Sequence, residues 1–210
     1  MRLPYAPPRA GRGLVSLLLV AAPLLADPLP GVRPVVRSAP RARAVAVLDG
    51  RRVSVDYGRP RRQGRPIFGA LVPYGEVWRT GADEATRLET EADLLFAGGL
   101  FVPKGSYALF TLPGVEDWLL ILNRAAQQWG AFNYDPAQDV GRVSLRREQT
   151  DRPIESFSVA LQPTGERSGV LWLGWDRTVL SIPFETLPEP APPTSPPAAP
   201  PRTPASRSAE

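Results

Sequence analysis

Two segments of this chain alternate apolar and polar side chains with a period of two. In VSVDY, Val53, Val55 and Tyr57 fall on one face, with Ser54 and Asp56 on the other. In SFSVAL, from Ser156, the residues Phe157, Val159 and Leu161 share a face in the same way. That period suits a half-buried strand and no helix. Further strand-like runs are AVAVL at 44, TRLET at 86, SYALFTL at 106, WLLILN at 118, GRVSLRR at 141, GVLWLGW at 169 and TVLSIPF at 178. Several are apolar on both faces, as strands covered on both sides are. Turn-forming residues separate most of them: GG at 98, PKG at 103, PGVED at 113, GERSG at 165 and WDR at 175. Many short strands with this punctuation predict an all-β fold, a single β-sandwich of jelly-roll-like type. A closed β-barrel with an interior cavity is the runner-up.

The ends of the chain read differently. Residues 1–12 carry Arg2, Arg9 and Arg12 without an acid, and the apolar run LVSLLLVAAPLLA follows to Ala26. A positive start, a short apolar stretch and a small residue at the break are the parts of a secretory signal peptide, residues 1–26. The stretch falls short of the ~20 residues that span a bilayer, so no transmembrane segment is expected in the mature chain. No cysteine follows the apolar stretch, so a lipoprotein is not expected. Residues 27–44 mix proline, arginine and small residues without periodicity and read as a linker. Residues 188–210, dominated by proline, alanine and serine, read as a disordered spacer, with envelope or cell-wall contact as its candidate role. An all-β domain over 45–187 is left between them. The expected location is therefore outside the cytoplasm, periplasmic or extracellular.

The formal net charge is +4, but the residues before position 45 carry +6, so 45–187 sum to −2. A nucleic-acid binder concentrates positive charge on its folded domain, so nucleic acid is rejected as a partner. Cysteine and histidine are both absent, which rules out disulfides, Cys/His zinc sites and histidine-based nucleophilic dyads. No looped D-x-D-x-D spacing supports calcium. No cofactor or metal is expected.

One segment breaks the strand rhythm. From Gly58 to Ala85 no alternation of strand length occurs, yet Ile67, Phe68, Leu71, Val72, Tyr74, Val77 and Trp78 are all there. Loops this long inside a compact domain are usually functional or disordered, and the apolar content argues for an ordered excursion packed over the sandwich. It contains YGRPRRQGRPIFGALVPYGEVWRTGADEAT, Tyr57 to Thr86. VPKGSYALFTLPG at 102, WLLILNRAAQQWGAFNYD at 118 and DVGRVSLR at 139 follow. In these spaced motifs the chain resembles the bacterial family called domain of unknown function 2911, over nearly all of 45–187. It departs from the family pattern at Asp83, where asparagine is usual, and at Lys104, more often alanine. The resemblance implies an exported, mostly β protein and supplies no established activity.

Candidate site residues cluster in the excursion. Arg65, Arg79, Asp83 and Glu84 form either an internal ion-pair network or the lining of a pocket for an anionic or hydroxyl-rich ligand. Trp78, Trp129 and Tyr134 are candidate aromatic walls or, alternatively, core anchors. Tyr74 and Phe132 accompany them, while Trp118, Trp172 and Trp175 are assigned to the core. The expected function is a non-catalytic binding or envelope-associated module for a polar or carbohydrate-like ligand. One alternative is a carboxylate-dependent hydrolase using Asp83 or Glu84 as acid/base and Arg79 as anion stabiliser. Another is a structural protein-interaction module. Thr80 and Thr86 are weak nucleophile candidates, since no histidine is available as base.

Overall fold

A computed structural model describes residues 37–189. The signal-peptide reading of 1–26, most of the linker and nearly all of the proline-rich tail lie outside the described residues. Nine antiparallel strands make up the domain: β1 Arg41–Leu48, β2 Arg51–Gly58, β3 Thr86–Thr90, β4 Leu94–Phe96, β5 Leu100–Val102, β6 Gly105–Leu112, β7 Trp118–Asn123, β8 Asp139–Pro163 and β9 Ser168–Thr186. Their order is β1-β2-β3-β6-β7-β8-β9-β4-β5. The β1 strand begins inside the stretch read as linker.

The sheet is open, with β1 and β5 at its edges, so the closed-barrel alternative does not hold. It is an all-β sandwich because β8 belongs to both layers. Residues Asp139–Leu145 pair with β7, and from Arg146 onward β8 pairs with β9. The register slips between Gln149 and Ile154 and again between Ile154 and Ser158, opposite Asp176 at φ 49°. Such bulges bend a strand pair sharply, and here they turn one long hairpin from the first layer into the second. The chain also crosses layers at the β4–β5 hairpin, which pairs with the far end of β9.

Between the layers lies the main core. Val53, Val55, Leu88, Leu109 and Leu120 meet Phe157, Val159, Leu171, Leu173 and Ile182, all buried. The two-residue period of β2 and late β8 thus faces this core as expected. The β6 and β7 strands are apolar on both sides because the outer face of their layer is also covered. Ala108, Phe110 and Ile121 pack there against Val77, Ala131 and Tyr134. No helix among the described residues is long and apolar enough to cross a membrane.

The irregular excursion is ordered. Ile67, Val72 and Trp78 are buried in the main core, while Leu71 and Tyr74 stay exposed. Its first residues close one side of the sandwich: the amide of Arg62 donates to Glu155 and the carbonyl of Pro60 accepts from Phe157. Further along, Trp78 exchanges both backbone hydrogen bonds with Thr111 on β6.

Candidate functional site

The turn Thr80–Asp83 is where backbone conformation is least ordinary. Thr80 (φ 55°) and Asp83 (φ 64°) are both left-handed. That conformation is unusual for a β-branched residue and tolerated by Asp. The Thr80 hydroxyl lies 3.2 Å from the Trp78 carbonyl and 3.1 Å from the Thr111 hydroxyl, and the Thr86 hydroxyl donates to the Thr80 carbonyl at 2.6 Å. Both threonines are fully buried. Their hydroxyls are engaged in holding a strained turn. Gly58 permits the approach, since a Cβ there would stand 2.1 Å from the Ala82 carbonyl oxygen.

Asp83 and Glu84 pin the chain ahead of β1. Asp83 accepts from the Ser38 amide (2.9 and 3.0 Å), the Ser38 hydroxyl (2.8 Å) and the Ala39 amide (3.1 Å). Burial pushes its pKa up, but these bonds and the Arg79 charge outweigh it and hold the carboxyl below its ordinary value. Glu84 takes the Arg37 guanidinium at 2.6–3.2 Å and Arg41 at 3.4 Å. The Arg37 bonds lower its pKa first of all, against the opposing effect of burial. An ion-pair network is thus present, but its cations come from the strap Arg37–Arg41 and not from Arg65 or Arg79.

That strap forms one wall of a cavity of about 400 Å³. Ser38, Ala39 and Pro40 face it from one side, Arg59, Arg61 and Arg65 from the start of the excursion, and Arg79, Gly81 and Ala82 from the strained turn. Val72, Trp78 and Trp175 give it an apolar side. The two indoles lie nearly parallel, 16° apart with centroids at 5.9 Å, and Phe157 meets both edge-on. Among the described residues, four arginines line the cavity and no carboxylate does. Arg61 reaches Glu155 at 3.5 Å, outside the lining. Arg59 has a 3.5 Å contact to the Ser158 hydroxyl, and Arg65 folds back to donate to the carbonyls of Arg61 and Arg62. The buried Nε of Arg79 and indole Nε1 of Trp175 find no acceptor among the described residues.

Of the residues singled out from sequence, Arg65, Trp78 and Arg79 come together in this cavity. Asp83 and Glu84 stand behind its strap wall. Trp129, half-exposed, pairs across from Glu84 through the backbone and does not line the cavity. Tyr134 lies apart, packed edge-on to Phe110. It donates to Asp139 at 2.7 Å and accepts from Arg142 at 2.8 Å. Burial, then the bond to Asp139, pushes its phenol up to about 12. Trp118 and Trp175 are core residues, whereas Trp172 is only half-buried, on the other face of β9.

Sequence reading did not pick out Arg59, Arg61, Trp175 or the strap as lining residues. One signal for the arginines was there: between Asp56 and Glu76 the chain holds four arginines and no acid.

The model of a protein family described as of unknown function, DUF2911, matches residues 39–184. No curated protein and no solved structure matches the chain. The matched span takes in the strap from Ala39, the excursion, and both layers up to Phe184. The chain belongs to the DUF2911 family of proteins of unknown function.

Proposed function

We propose that this protein is an exported, non-catalytic binding module that holds a small polar ligand in the cavity between the strap, the excursion and Trp175. One observation carries this reading: the preformed cavity gathers four arginines and, among the described residues, no carboxylate to form an acid–base pair. Its volume, about 400 Å³, falls in the range of small-molecule sites, which are mostly apolar with a few placed polar groups. Export rests on the arginine-then-apolar pattern of the first 26 residues.

A hydrolase built on Asp83 or Glu84 finds less support. A general acid near neutrality needs a raised pKa, and both carboxyls are held low by donors they already serve.

The test is a binding screen of the full chain against neutral sugars and small organic acids, followed by tryptophan fluorescence, with Leu71→Trp as the blocked control. Leu71 is exposed at the cavity lining, so the larger ring should obstruct entry without disturbing the core. Binding to the parent chain that is lost in Leu71→Trp is the expected result. If no solute binds, or the substitution makes no difference, the cavity is not a ligand site. Amino-terminal sequencing of the protein recovered outside the cytoplasm should begin at Asp27, and recovery with the leader intact in the cytoplasm would overturn export.

A further inference from the structure

Resting on that cavity reading, we infer that the ligand is an organic oxyanion, a carboxylate or phosphate carried on an apolar body. Charge is the first reason. Arg59, Arg61, Arg65 and Arg79 all line one concavity, whose lining holds no acid among the described residues. Clustered cations repel one another unless an anion joins them, and arginine forks match carboxylate and phosphate oxygens in pairs. Of the acids nearby, Asp83 is engaged by Ser38 and Ala39 and Glu84 by Arg37 and Arg41, while Glu155 meets Arg61 and leaves Arg59, Arg65 and Arg79 without an ion-pair partner among the described residues.

The polar lining is the second reason. Beside the four arginines and the two indoles, Ser38 and Gln63 are the polar side chains of the lining among the described residues. An acceptor-rich, donor-poor ligand matches a guanidinium-dominated lining better than a sugar, which brings hydroxyl donors of its own. The apolar body follows from the rest of the lining, where exposed Leu71 and the edges of Val72, Trp78 and Trp175 stand beside the arginines and would be left unused by a bare inorganic anion.

The experiment is isothermal titration of the full chain with 1-naphthoate, 1-naphthyl phosphate, the neutral isostere 1-naphthamide and inorganic phosphate. At least one naphthyl anion should bind about tenfold or more tightly than the amide, since charge-assisted bonds are stronger than neutral ones. Which anion binds better identifies the oxyanion. Arg79→Gln should lower that affinity about tenfold. Arg59→Gln, at an exposed position, should lower it and flatten its salt dependence. Equal binding of amide and anions, or indifference to both substitutions, overturns the inference. Inorganic phosphate binding as tightly as the naphthyl phosphate overturns the apolar-body part. If neutral sugars bind and are blocked by Leu71→Trp while no anion binds, the oxyanion inference fails and the binding-module reading stands. If nothing binds at all, both fall.

Discussion

Asp83 occupies a left-handed position with both carboxylate oxygens engaged by Ser38 and Ala39. Replacing it by alanine removes the acceptors and leaves a side chain poorly suited to that backbone. Asp83→Ala should destabilise the domain by about 2 kcal/mol. Asp83→Asn, which keeps the left-handed tolerance and one acceptor, should cost less. Denaturant unfolding checks both. Because the folded-state pKa of Asp83 lies below its ordinary 3.8, the stabilisation is complete above that value and drains away as pH falls through the lowered one. In Asp83→Asn that acid-limb component should vanish, and an unchanged limb would mean the clamp is idle. The same residue marks how far sequence could go toward the site. A charged cluster in an ordered excursion was legible from composition and spacing. Which cation meets which acid was not, because Arg37 and Glu84 are 47 positions apart and only the closed fold brings them together.

At the level of elements, the excursion is held against β2 by the close approach of Gly58 to Ala82 and against β6 by the backbone pair Trp78–Thr111. Gly58→Ala would place a methyl group 2.1 Å from the Ala82 carbonyl oxygen, so the strained turn must shift. Overpacking of this kind costs about 1–3 kcal/mol. The expected outcome is a lower unfolding midpoint and a changed Trp78 and Trp175 emission, and unaltered emission would show the turn to be slack. Most strands were legible, since alternation survives wherever one face is wet. The misreadings have definite causes. GRVSLRR and SFSVAL are one strand, bulged between Gln149 and Ser158, and GVLWLGW and TVLSIPF are another, because the chain runs on through Asp176 (φ 49°) opposite those bulges without turning back. The β4 and β5 strands, three residues each, are too short to show a period. The pairing of β4 with β9, and of β5 with β4, comes from tertiary context alone.

For the molecule as a whole, protection should be unequal. The β6 and β7 strands lie between β3 and β8 and are covered on both faces, so their amides exchange only when everything opens. Hydrogen exchange should show Ala108, Phe110 and Ile121 among the slowest and residues 61–75 faster by local release. Slow exchange across that excursion equal to β6 would contradict the arrangement. The bent β8–β9 hairpin supplies partners to β7 in one layer and β4 in the other. No half of this protein therefore owns a complete interior, and a fragment stopped before Pro163 would lose its second sheet and expose its first. The unit that can be inherited, fused or transplanted is the whole span, indivisible from the strap to the end of β9.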